Sequence, residues 1–152
     1  MLFRNNTRDL MRNRGRKMRL TEESYLDRFD NIDDLYDKVH SFRISNNTEM
    51  TEEIVNAIED RYGEGGVKAF YTYYRMKRHD KKILDMNDAS IYKGEEKGAI
   101  EFLREFGIDE IALSGNSTAN NKLSWAFIKN GCKLKGMELI DDKPAFMFDI
   151  LN

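Results

Sequence analysis

A single cysteine, a single proline and no long apolar run set the first limits on this chain of 152 residues. Cys132 alone cannot form an internal disulfide, and CxxC metal spacing is absent, so a reducing cytoplasm is the expected compartment. The charged N-terminus has no apolar stretch behind it, so a signal peptide is not expected. No run approaches the length that spans a bilayer, so no membrane role is expected. With Pro144 as the one proline, regular elements and short connections are expected rather than linkers. The formal net charge of −2 argues against a bulk polyanion binder. The length is one domain's worth, enough to bury a core without cross-links.

The charge is unevenly spread. Residues 1–20 carry Arg4, Arg8, Arg12, Arg14, Arg16, Lys17 and Arg19 against one acid, Asp9. The four-residue spacing of Arg4, Arg8, Arg12 and Arg16 would make one stripe on a helix, yet Asn5, Asn6, Asn13 and Gly15 weaken helix formation. The segment reads as a basic arm that becomes helical on a partner, touching phosphates of DNA or RNA or an acidic protein face. A solvated tail is the plainer reading.

From Thr21 the balance turns acidic. Tyr25, Phe29, Ile32, Leu35, Tyr36 and Val39 recur at helical steps, with Thr21 as N-cap. This acidic helix could neutralise the arm within the chain. Ser41–Asn47 reads as a break, with a short strand through Phe42 and Ile44. Thr48 or Thr51 opens a second helix with Ile54, Val55 and Ile58 on one side, ended by Gly63, Gly65 and Gly66. A third runs from Val67 to about Arg78, dense in Phe70, Tyr71, Tyr73 and Tyr74. Those rings beside Arg75, Lys77 and Arg78 could stack on bases, though such a cluster more often forms core. A strand is expected over Ile83–Ile91, a helix over Lys93–Phe106 with Gly107 behind it, and a buried parallel-type strand over Ile108–Ser114. Ser117 or Thr118 caps a further helix with Leu123, Phe127 and Ile128 inward. Strands at Leu134–Ile140 and Ala145–Leu151, joined through Asp141–Pro144, close the chain.

These elements place the chain in the α/β (α+β) class. A basic arm covers 1–20 and a single domain covers 21–152. That domain is helical to residue 80, then carries a small mixed sheet in β-α-β-α-β-β order. Candidate chemistry is sparse. His79 and Asp80 are adjacent but would not face each other on a helix. Asp85, Asp88, Glu95 and Glu96 could hold a divalent ion but match no loop spacing, so exposed charge is expected. Ser114–Ser117 lies where α/β folds place ligands. Trp125, two residues from Phe127, would be an interface anchor if exposed, while burial against the N-terminal helices is the simpler expectation.

Asn120, Phe127, Lys129, Gly131 and Cys132 fall at the spacing of an Asn, Tyr, Lys, Gly, apolar pattern before the closing strands. With the element order over 83–151, this resembles the second half of the GNAT acetyltransferase fold. The resemblance implies acetyl-CoA binding at Lys93, Gly94, Gly98 and Asn120, where a glycine loop exposes amides to a pyrophosphate at a helix start. Here the loop reads Lys93-Gly94-Glu95-Glu96-Lys97-Gly98. Glu96 stands where the family has its first glycine, and two carboxylates compete for those amides. Phe127 replaces the tyrosine that protonates the departing thiolate and has no proton to give. Both departures imply a scaffold without catalytic residues or cofactor, the alternative being a divergent N-acetyltransferase using acetyl-CoA.

The run from about Val67 to Leu139, with AFYTYYRMKRHDKK and FIKNGCKLKGMEL, also resembles an uncharacterised family of short proteins from conjugative elements and phages of Gram-positive bacteria. That resemblance implies a mobile-element setting. By analogy it implies an inhibitor of a host defence nuclease, of anti-CRISPR or anti-restriction type, binding a protein or nucleoprotein partner.

Overall fold

A computed structural model describes residues 25–114 and 118–150, with side chains for all of these but 118–121. The basic residues from Arg4 to Arg19, the Thr21 cap and Ser117 lie outside the described residues.

Helix α1 spans Ile32–Ile44 and α2 spans Thr48–Arg78; a short 3-10 turn at Met86–Ala89 leads to α3, Glu96–Glu105. Strand β1 (Glu110–Ser114), helix α4 (Thr118–Lys129) and strands β2 (Lys133–Ile140) and β3 (Lys143–Asp149) complete the chain. The class is α+β.

Helix α1 begins at Ile32, where Asn31 caps it by accepting from the Asp34 amide at 3.0 Å, and Tyr25 and Leu26, themselves helical, are set off from it by a turn at residues 27–28. The apolar spacing continues upstream, with Leu26 buried, but the backbone has already turned. The expected break and strand at Phe42 and Ile44 are absent. Helix α1 runs through to Ile44, and the chain reverses only at Asn46, in the left-handed region with φ 59°. Asn47 then caps α2 through the Met50 amide.

The glycine cluster kinks α2 instead of ending it. Gly63 (φ 74°, ψ −170°) interrupts the helical geometry in a region that only glycine tolerates, and the helix resumes immediately. Beyond the kink, Phe70, Tyr73 and Tyr74 are buried. Tyr74 bonds His40 at 3.0 Å, and Tyr73 donates to Asp33 at 2.5 Å, tying α1 to α2. Phe70, Tyr73 and Tyr74 are therefore core and too buried to stack on bases, and Tyr71 packs half-buried against the same core.

Gly65 and Gly98 let α2 and α3 touch. A Cβ on Gly98 would lie 1.9 Å from the Tyr62 carbonyl oxygen, and one on Gly65 would lie 1.9 Å from that of Glu95. Tyr62 also donates its hydroxyl to Glu105 and packs edge-on against Phe102, 5.4 Å between centroids. Burial first, then the Glu105 hydrogen bond, pushes its phenol up to about 12. The unfolded chain loses this proton near pH 10 while the fold retains it. Stability is therefore full below pH 10 and falls as pH rises towards 12. Melting temperatures across that range should drop, and less steeply in Tyr62→Phe; identical slopes would contradict this assignment.

No strand forms over Ile83–Ile91. Asp85 accepts from the Asn87 amide at 3.0 Å, and such local side-chain bonds favour a turn over a ladder. What remains of parallel pairing is an isolated bridge between Asp85 and Ala112. The sheet is antiparallel throughout, in the order β1-β3-β2. Strand β1 reads as a continuous apolar run because both its faces are covered, Ile111, Ala112 and Leu113 all being buried. Coverage, not pairing direction, makes that pattern. Asp141 and Asp142, with φ 52° and 63°, form the primed two-residue turn of the β2–β3 hairpin.

Register decides the faces. Ile111 and Leu134 both oppose Phe148, while Met137 opposes Phe146 and Leu139 opposes Pro144. These residues share the side on which α4 sits, where Phe127 packs edge-on against Phe148 at 5.8 Å. Ala112, Ala145 and Met147 form a small separate cluster on the other side.

Candidate functional site

The loop into α3 is the place an acetyl-CoA pyrophosphate would need. Glu95 accepts from the Tyr92 amide at 2.9 Å and pairs with Lys68 at 2.7 Å. Desolvation raises the Glu95 carboxyl, but the Lys68 ammonium and the Tyr92 amide outweigh it and hold it below the usual range. Glu96 accepts from the Gly94 amide at 2.9 Å. Two loop amides are thus satisfied by the chain's own carboxylates, as the charge pattern suggests. Lys93 and Gly94 are exposed, Gly94 at φ 95° with open space around it, whereas Gly98 faces the backbone of α2. Gly98 is accounted for by helix packing. Asn120 lies in the first turn of α4, and its side chain is outside the described residues. Phe127 is fully buried in the core.

The acidic candidates do not converge. Asp85 takes the Ser114 hydroxyl and the Asn87 amide, and Glu95 and Glu96 hold their own loop. Among the described residues, no group of three or more histidines, cysteines or carboxylates is placed to hold a metal. His79 caps the C-terminus of α2 and Asp80 turns the chain at φ 55°, so the pair belongs to a helix end. Cys132 is buried, and burial pushes its thiol up to about 11, so it offers no thiolate near neutrality. Of Ser114–Ser117, only Ser114 is described, and its hydroxyl is engaged by Asp85.

A cleft of about 500 Å³ opens where the end of α2 meets the β2–β3 turn. Arg75, His79, Lys81 and Lys82 line it together with Asp80, Asp85, Asp88 and Asp141. Arg75 is pinned inside it by the Asp88 carbonyl at 3.2 Å. Mixed signs at this density neutralise one another, and the cleft presents no single-charge field to a ligand.

The other feature is the outer surface of α4 and β2. Trp125 is 67% exposed, against the expectation that the N-terminal helices would cover it. Ile128, expected inward, is also exposed, because Phe127 alone carries the inward contact of that turn. Strand β2 forms one edge of the sheet, and Leu134, Met137 and Leu139 are open to solvent on the side that carries α4, Leu139 at 75%. Five large apolar side chains, two on α4 and three on β2, are thereby exposed, the kind of exposure that accompanies interaction surfaces.

The charge around this surface is one-sided. From Ile111 to Met137 the sequence contains no aspartate or glutamate, but does contain Lys122, Lys129, Lys133 and Lys135. Lys122 and Lys129 lie at −3 and +4 from Trp125, on the same exposed side of α4. Glu138 opposes Ala145 and so belongs to the far side of the sheet. Lys135 is occupied by Glu110 at 2.6 Å. Sequence reasoning found Trp125 but missed Leu134, Met137 and Leu139, since strand alternation says nothing about which face stays bare. The signal that was available is the acid-free stretch itself.

No helix among the described residues is long and apolar enough to cross a membrane. Comparison with curated proteins and with solved structures gives no match. Residues 68–148, more than half of the chain, match the family described as Domain of unknown function (DUF7698). The loop into α3, α4 and the whole of β2 lie inside that match. The chain belongs to the DUF7698 family.

Proposed function

We propose that this protein is a non-catalytic binding protein that engages a protein or nucleoprotein partner through the α4–β2 surface. The observation that carries this reading is the exposure of Trp125 on α4 and of Leu134, Met137 and Leu139 on β2. Exposed tryptophan is among the residues enriched at interface hot spots, and a monomeric fold gains nothing from leaving it and several large aliphatics in water. The basic stretch at 1–20 supplies a second, electrostatic contact, suited to phosphates in a nucleoprotein. The resemblance to short proteins of conjugative elements and phages supports a narrower form: an inhibitor of a host defence nuclease.

The competing class is a divergent acetyltransferase. It requires a pyrophosphate to displace Glu95 and Glu96 from the Tyr92 and Gly94 amides and to break the Lys68 pair. It also requires a proton donor where Phe127 is buried. Calorimetry with acetyl-CoA separates the classes. No heat of binding is expected even at millimolar ligand; micromolar affinity would overturn the binding-protein reading and restore the enzyme.

A further inference from the structure

Strand β2 is open on both faces and along its outer edge. Every residue from Lys133 to Leu139 is exposed, whereas β1, at the opposite edge, is buried at its centre. Among the described residues, only β3 bonds to the β2 backbone, so the main-chain groups of the outer edge are left to water. Such an edge is a template for another strand. Register sorts its side chains. Leu134, Met137 and Leu139 oppose Phe148, Phe146 and Pro144, on the side that carries α4. Lys133, Glu138 and Ile140 oppose Asp149, Ala145 and Lys143 on the other side. Lys135 also lies there, bonded to Glu110 at 2.6 Å.

The order of charges along the strand selects its occupant. Cations stand at its start, Lys133 and Lys135, and carboxylates at its end, Glu138 followed by Asp141 and Asp142 in the turn. An antiparallel second copy sets the start of one strand against the end of the other, so unlike charges meet twice. A parallel copy would set like against like. The bulge at 135–136 is no barrier, since β3 already pairs across it with Met147 opposite Gly136. With Met137 opposite Met137, Glu138 falls opposite Lys135–Gly136, Leu139 opposite Leu134, and Ile140 opposite Lys133. In each of these pairs both residues lie on the same side of the sheet, as antiparallel pairing requires.

We propose that the β2 edge pairs antiparallel with the β2 edge of a second copy, joining two three-stranded sheets into one continuous sheet. Main-chain hydrogen bonds hold the pair, and Glu138 adds a second carboxylate to the Lys135 ammonium of the other copy. Pairing consumes edge groups, so the α4 side of β2 stays open to the partner proposed above. Dimerisation itself needs no such partner. One eight-residue strand buries less than a standard interface, so a dissociation constant on the order of tens of micromolar is expected.

Sedimentation equilibrium of the full chain, from micromolar to millimolar concentration, should show monomer and dimer exchanging by mass action. Glu138→Lys should weaken the dimer about tenfold, since it sets like charges together at two symmetric places. Register is read by disulfide cross-linking with copper phenanthroline in air. The native Cys132 does not interfere, being buried with its thiol pushed up to about 11. Met137→Cys should cross-link to itself, and Leu134→Cys should cross-link to Leu139→Cys when the two variants are mixed. Tyr92→Cys, at a comparably exposed site before α3, is the control for random collision. A chain that stays monomeric at millimolar concentration would overturn the inference. So would a dimer in which Met137→Cys cross-links no faster than Tyr92→Cys, because the contact would then lie elsewhere.

Discussion

Gly98→Ala is expected to unfold most of the protein, or to lower its stability by about 3 kcal/mol or more. The new methyl would sit 1.9 Å from the Tyr62 carbonyl oxygen and 3.1 Å from its carbon. Both obstacles are backbone, which cannot rotate aside as a side chain can. The two helices must move apart, and Phe70, Phe102 and Tyr62, which meet at that crossing, lose contact together. Gly94→Ala is the control, since open space surrounds it and only its positive φ opposes a side chain. Its cost should stay near 1–2 kcal/mol. Urea unfolding of both variants checks the difference. If Gly98→Ala folded as well as the parent, the glycine would be free for another role, and the phosphate-loop reading of Lys93–Gly98 would regain ground.

That residue shows what the sequence can and cannot convey. The glycine spacing Gly63, Gly65, Gly66 and Gly98 is visible in the sequence, but a close helix crossing and a phosphate loop use the same residue for the same reason: backbone must approach something. Only geometry tells a carbonyl from a phosphate. The last third was legible because its cues are local: the Gly107 stop after α3, the Gly131 stop after α4 and the Asp141–Asp142 turn each act within a few residues. The failures are of two kinds. Around Asp85–Ser90, side-chain-to-backbone bonds overrode weak alternation. At Trp125 and Ile128 helical periodicity located the faces, but which face is covered depends on residues distant in sequence. The same is true of β2, whose apolar side is exposed although β1, at the opposite edge of the sheet, is buried. The basic arm was legible as charge, and its structure lies outside the described residues.

The largest functional effect is expected from Trp125→Ala combined with Leu139→Asp. Removal of an exposed tryptophan anchor typically costs about 2 kcal/mol or more in binding, roughly thirtyfold, and a carboxylate in the apolar centre adds a desolvation penalty. Partner affinity should fall beyond a hundredfold. Both side chains are mostly in water, so the melting temperature should be nearly unchanged. Lost binding with retained fold separates this surface from the Gly98 crossing, where binding and fold would be lost together. Affinity captured on the parent chain and retained by the double variant would move the binding site elsewhere.

The most direct measurement places a photo-reactive phenylalanine analogue at Trp125, at Leu139 and, as a reference on the acidic side of α2, at Asp60, then irradiates each variant in living cells. Covalent adducts to one protein, formed from positions 125 and 139 and absent from position 60, are the expected result. No adduct from 125 or 139, or equal yields from all three positions, would contradict the assignment of function to the α4–β2 surface.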